Sequence, residues 1–151
     1  MSRRQVLALI VLILLAAFII PGCAPESTFN RSLKLWQSKA VVDYSYELRV
    51  ICFCPAEVTS PVLVEIRNGV TSSVRYAADN VPATNEFFER FNTVEKLFAV
   101  IRDAYNRKAD TVSAAYDLGY GVPISVSIDY IKLAVDEELA FTVRNFTPLT
   151  G

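Results

Sequence analysis

The chain has 151 residues, a net charge of −1 and no histidine. The missing histidine excludes Ser-His-Asp and Cys-His catalysis, removes the commonest metal ligand and leaves no side chain that ordinarily titrates near neutrality. With 15 basic residues against 16 acidic ones, and no basic stripe, no nucleic-acid partner is expected.

Arg3-Arg4 precede an unbroken apolar run of 15 residues from Val6 to Ile20, followed by Pro21-Gly22-Cys23. A short basic start, an apolar core and a small residue before the cut make a secretory signal. The cysteine directly after Ile20-Pro21-Gly22 makes it a lipoprotein signal of the bacterial lipobox type. Such a signal is cut before Cys23, whose sulfur takes a diacylglycerol and whose freed amino group takes a further acyl chain such as palmitate. The competing reading is a transmembrane anchor, but a spanning helix needs about 20 apolar residues. Two or three acyl chains suffice for stable anchoring. Ala24, in place of an Asp, favours transfer to an outer membrane where one exists. The expected division is a signal over residues 1–22, a tether over 23–28 and one globular domain over 29–151. Removing 22 of 151 residues leaves 129, and losing Arg3 and Arg4 leaves 13 basic against 16 acidic residues, a net charge of −3. The expected location is the bacterial cell envelope, lipid-anchored and facing the periplasm or the exterior.

In the mature chain, Phe29, Leu33, Trp36 and Ala40 fall at helical spacing and predict a short amphipathic helix over 30–40. From Asp43 to Phe53 the pattern alternates, with Tyr44, Tyr46, Leu48, Val50 and Cys52 on one side, and predicts a half-buried strand that Pro55 ends. Two alternating runs, Val62 to Arg67 and Val70 to Ala78, flank Asn68-Gly69. That pair predicts a two-residue type I′ hairpin, because both central residues need positive φ. Residues 80–86, with Pro82, read as a loop. Asn92 followed by Glu95 has the spacing of a capping box. Val94, Leu97, Phe98, Ile101 and Ala104 then form the buried stripe of a helix. Strands are predicted for 111–117, 124–131 and 139–146, with turns at Leu118 to Gly121 and at the acidic corner Asp136-Glu137-Glu138.

The expected fold class is α+β: a six-stranded antiparallel sheet with two helices packed on one face. The order helix, three strands, helix, three strands is the one a tandem αβββ-αβββ duplication would produce, although the halves share no convincing residue identity. The other face of the sheet is then exposed, offering Ser45, Glu47, Arg49, Arg75, Ser125, Ser127, Asp129, Thr142 and Arg144.

Several fragments together resemble an uncharacterised family of bacterial exported proteins and lipoproteins, a domain of unknown function. They are Trp36, Asp43-Tyr44-Ser45-Tyr46, Cys52-Phe53-Cys54-Pro55, Pro61-Val62 leading to Asn68-Gly69-Val70, and Thr93-Val94-Glu95-Lys96-Leu97-Phe98. Tyr116-Asp117 with Gly121 and Pro123, Ile128-Asp129-Tyr130 and Asp136-Glu137-Glu138 complete the set, which runs from about residue 31 to Phe146. Val122 departs from the Gly-Tyr-Pro order of the second glycine turn. The resemblance implies an exported single domain and supplies no activity.

With Cys23 lipidated, Cys52 and Cys54 are an even pair in an oxidising compartment, which favours a disulfide. In a flat strand such residues sit about 6.5–7 Å apart, so closure needs a kink at Phe53. A reduced buried pair, and a metal-binding or reactive pair, stay open as alternatives. Asp136-Glu137-Glu138 reads as a solvated corner in preference to a calcium site, lacking the Asp-x-Asp-x-Asp-Gly loop. Asp129 is expected to find a cross-strand partner such as Arg144. A carboxylate pair for glycoside chemistry needs a cleft that the sequence does not establish. Gly119-Tyr120-Gly121 joins two strands and is a turn, not a phosphate loop. Trp36 and the tyrosines at 44, 46, 76, 116 and 130 have core-facing periodicity. The Asn30 and Asn145 sequons read as chance in a bacterial chain. No cofactor or metal is expected, and no enzyme. The expected function is a non-catalytic binding or assembly domain, held to the membrane by its lipid. It recognises an envelope protein through the open face, with Arg49, Arg75, Asp129 and Arg144, or through an edge strand. The alternative is thiol redox or soft-metal chemistry at Cys52 and Cys54.

Overall fold

The structure, a computed structural model, describes residues 27–132 and 138–150. The expected signal over 1–22, Cys23 and most of its tether, and Asp136 and Glu137 of the acidic corner lie outside the described residues. No helix among the described residues is long and apolar enough to cross a membrane.

Helix α1 (Thr28–Lys39) starts two residues earlier than its apolar spacing predicts, because Ser27 caps it by accepting from Asn30 N. Strand β1 (Tyr44–Cys52) follows, then a single turn α2 (Ala56–Thr59), then the hairpin β2 (Val62–Arg67) and β3 (Val70–Tyr76). The hairpin turn has the expected backbone, with φ of 53° at Asn68 and 74° at Gly69. Asp43, just before β1, secures it, its Oδ1 accepting from Asn68 N. Next come a 3₁₀ turn (Glu86–Arg90), helix α3 (Val94–Asn106) and strands β4 (Thr111–Tyr116), β5 (Pro123–Asp129) and β6 (Glu138–Pro148).

All six strands form one open antiparallel sheet in the order β3-β2-β1-β6-β5-β4. The fold is therefore α+β, as expected. The element order repeats, but its placement does not. β1 sits at the centre and β4 at an edge, and the two run in opposite directions, so no shift or rotation within the sheet lays one half on the other.

One sheet face is apolar and covered. Tyr44, Tyr46, Leu48 and Val50 of β1, Val62, Val64 and Ile66 of β2, and Phe141 and Val143 of β6 meet Leu97, Phe98 and Ile101 of α3 and Trp36 of α1. Burial of each aliphatic side chain there contributes about 1.5–3 kcal/mol. The segment before α3 adds more than a loop. Phe88 and Phe91 are buried, and Tyr46 donates from its hydroxyl to Phe91 O at 2.6 Å.

The cap of α3 differs from the expected one by a residue. Thr93, not Asn92, accepts from Lys96 N at 3.3 Å, while Asn92 Oδ1 holds Lys96 Nζ and Asn92 O accepts from Thr71. Glu95 consequently sits too early in the helix to close a capping box. Its carboxylate instead accepts from Trp36 Nε1 at 2.8 Å and from the Tyr44 hydroxyl at 3.4 Å, while that hydroxyl accepts from Val94 N. This one acid ties both helices to the central strand.

Gly121 marks the tightest approach between layers. Its φ is 78°, and a Cβ there would run into the carbonyl oxygen of Ser32 in α1, whereas Gly69, at a similar φ, faces open space. Gly69→Ala therefore costs only the left-handed backbone penalty, about 1–2 kcal/mol. Gly121→Ala adds displacement of α1 and costs more than about 3 kcal/mol. Denaturant unfolding of the two variants side by side measures the gap.

Candidate functional site

The uncovered sheet face carries the polar residues of each strand, because successive side chains alternate sides. Arg75, Leu63, Glu47 and Arg144 stand in one register row across β3, β2, β1 and β6. Arg49 lies two positions along β1 from Glu47, opposite Thr142, which in turn faces Ser125. A shallow concavity of about 460 Å³ opens in this region, lined by Ser45, Glu47, Leu63, Glu65, Arg75 and Asn145 among others. Arg67 Nε contacts Glu65 Oε1 at 2.7 Å, and Arg75 Nη1 donates to Asn80 O at 3.2 Å. The face thus sets guanidinium and carboxylate groups around Leu63, with a second exposed apolar side chain, Ile51, further along β1. Guanidinium groups offer paired donors to carboxylate or phosphate oxygens.

Asp129 does not join this group. Its register partners are Glu138 on β6 and Thr111 on β4, and its Oδ1 accepts from Ile131 N at 3.1 Å. Arg144 lies six residues along β6 from Glu138, about 20 Å at the rise of a strand. The expected Asp129–Arg144 pair is therefore ruled out by register, and Glu47 takes the place opposite Arg144. The face brings together Arg49, Arg75 and Arg144, with Asp129 and Glu138 as a separate acidic pair at its far end.

Two features of the site escape the alternation rule. Between Arg144 and Thr147, β6 spends three residues where β1 spends two, with Asn145 at φ 52° as the extra one. This bulge turns Asn145 into the lining of the concavity and lets Phe146 reach Trp36 and Tyr44, at ring separations of 5.9 and 5.6 Å. The signal is in the sequence: after Leu139, Phe141 and Val143, the inward phase falls on Asn145 and the outward phase on Phe146. The second is Leu63, an exposed apolar residue at the middle of a charged row.

Cys52 and Cys54 are joined by a disulfide with a Cα separation of 5.2 Å, shorter than a flat strand allows. The chain bends at Phe53, whose side chain is 86 % exposed, and β1 ends at Cys52. Among the described residues no three Cys, Asp or Glu side chains gather closely enough to hold a metal ion. The loop from Leu118 to Gly121 is a turn held by Asp117, whose Oδ1 accepts from Gly119 N and Tyr120 N.

Beneath the open face, burial shifts three phenols. Desolvation is the main cause in each case. It raises Tyr44, with the Val94 amide opposing the rise and the nearby Glu95 carboxylate adding to it, and it raises Tyr46 well above the ordinary range. Tyr116 is pushed up to about 12.

An open antiparallel α+β sheet with a helix layer on one side and a charged, shallow face on the other defines the class of domain. A family profile described as a family of unknown function (DUF6174) matches residues 28–148, and the chain belongs to that family. No curated protein and no solved structure matches the chain.

Removing the Glu95 acceptor should be felt at the single tryptophan. Glu95→Ala leaves the buried indole N–H unpaired and costs about 1–3 kcal/mol, with a change in Trp36 fluorescence. Glu95→Gln keeps an acceptor and most of the stability, and it moves the Tyr44 titration to lower pH by removing a neighbouring negative charge.

Alkali supplies a separate test. The three phenols stay protonated in the fold while unfolded tyrosines ionise near pH 10. Their contribution to stability is therefore complete below pH 10 and declines as pH rises above it; the Tyr116 share is gone by about 12, while Tyr44 and Tyr46 hold their protons beyond that. Tyrosinate absorbance, followed together with unfolding, should show these phenols titrating late and with loss of structure.

Proposed function

We propose that the protein is a bacterial cell-envelope lipoprotein, anchored through Cys23 and facing the periplasm or exterior, that acts as a non-catalytic binding domain. The sequence from Arg3 to Cys23 supports the anchor. The observation that carries the binding role is the row Arg75, Leu63, Glu47 and Arg144 across four strands of an uncovered face. Its centre pairs the apolar Leu63 with the Glu47 carboxylate and its ends are cationic, a mixed surface with donors, acceptors and one apolar contact point for a partner. The concavity beside it is shallow and polar, suited to a protein surface or an envelope component more than to an enclosed small molecule.

A second reading, thiol–disulfide exchange, draws on the placement of Cys52 and Cys54 two residues apart at a strand end beside an exposed Phe53. Each turnover would take two electrons and two protons from a partner dithiol and leave the partner as the disulfide. Incubation in glutathione buffers with alkylation and mass measurement separates the readings. A structural bond stays oxidised at potentials above about −300 mV, whereas an exchanging one opens well before that.

The main proposal is tested in cells. Cys23→Ser should shift the protein from the membrane fraction and abolish labelling by a fatty-acid probe. Arg75→Glu with Arg144→Glu should keep the fold and the membrane fraction and release crosslinked partners. Every partner staying bound to that double variant would overturn the open-face role.

A further inference from the structure

The two edges of the sheet are built differently. Outside β3 the chain folds back on itself: Tyr76 N donates to Val81 O and Ala83 N to Val74 O, each at 2.9 Å, and Arg75 bridges Pro82. That edge is closed over Val74 to Tyr76. β4 has β5 as its single neighbour, and among the described residues no backbone bond closes its outer side. Bare edges normally carry a charge, a proline or a bulge that stops another strand from adding. The run Thr111-Val112-Ser113-Ala114-Ala115 has none, and the register shift on β4 comes only at its last step. Beside this edge lies a groove of about 720 Å³, walled by Phe29 of α1, Arg102 and Tyr105 of α3, and Val112, Ala114 and Tyr116 of β4.

We propose that the β4 edge and its groove bind an extended segment of a partner protein, with alternating apolar side chains and a Lys or Arg at each end. Added as a seventh strand, such a segment satisfies the outward N–H and C=O groups of β4 and places every second side chain in the groove. Phe29, Tyr105 and Tyr116 supply apolar walls for those side chains. The ends are specified by charge: Asp110 and Asp117 bracket the strand. The same bracket disfavours a second copy of this chain. In a symmetric antiparallel pairing centred on Ser113 or Ala114, Asp110 of one copy would lie one position from Asp117 of the other, which gathers two negative charges at each end. The site extends the binding-domain reading to a surface distinct from the arginine face.

The test uses full-length protein in detergent and the peptide Lys-Val-Thr-Val-Thr-Val-Lys at millimolar concentration, read by amide hydrogen exchange. The peptide should slow exchange across residues 111–116 about tenfold, and a version ended by Glu should bind about tenfold more weakly. N-methylation of alternate peptide amides should abolish protection, since the strand bonds are lost. Ser113→Lys, which puts a charge at the exposed middle of the edge, should do the same without unfolding the protein. Arg75→Glu with Arg144→Glu should leave peptide protection intact, so failure of the open-face role and failure of this one are told apart. Unchanged exchange at 111–116, equal binding of the N-methylated peptide, or protection that appears with protein concentration alone would each overturn the proposal, the last in favour of self-pairing.

Discussion

The pairing of β1 with β6 holds the two halves of the sheet together. Residues 44–52 meet residues 139–148, nearly a hundred positions further on, and no other strand contact joins the two three-stranded halves among the described residues. Closing a loop of that length costs about 4 kcal/mol of chain entropy. Leu48, Val50, Phe141 and Val143, all buried along this seam, contribute about 1.5–3 kcal/mol each. Burial outweighs closure, and the margin exists only because the apolar phases of both strands point to the same side.

That phase also fixes the opposite face. A slip of one residue between β1 and β6 would send Tyr44 and Tyr46 outward and bring Glu47 and Arg49 into the core. Glu95 and the Asn145 bulge guard against it from two directions. The carboxylate gathers Trp36 and Tyr44 at the foot of β1, and the bulge resets β6 so that Phe146 packs on the same pair of rings. The positions of Arg49, Arg75 and Arg144 on the open face therefore follow from what is buried behind them.

Much of this is legible in the residue pattern because it depends on local chemistry. Asn68-Gly69 specifies its hairpin through the φ values it alone tolerates cheaply, and the stripe of Leu97, Phe98 and Ile101 specifies a helix side. Strand order and pairing partners are harder to read, since they depend on contacts distant in sequence. The expected Asp129–Arg144 pair failed for that reason: both residues were placed on the correct face, but register separates them by most of a strand. The cap of α3 falls on Thr93, one residue after the expected Asn92, because both side-chain types can cap and spacing alone does not choose between neighbours. Lys96 Nζ donates to Asn92 Oδ1 and Thr71 of β3 donates to the Asn92 carbonyl, while Thr93 takes the capping role. The partial closure of the β3 edge by Val81, Pro82 and Ala83 depends on backbone bonds that side-chain patterns do not encode.

A sheet whose central seam uses its final strand has a consequence for how the polypeptide is handled while it is being made. β6 is the last of the six strands to be synthesised, and until it arrives β1 has an open flank and the aromatic cluster at Trp36 lacks Phe146. A nascent chain still missing those eleven residues cannot settle into its finished shape.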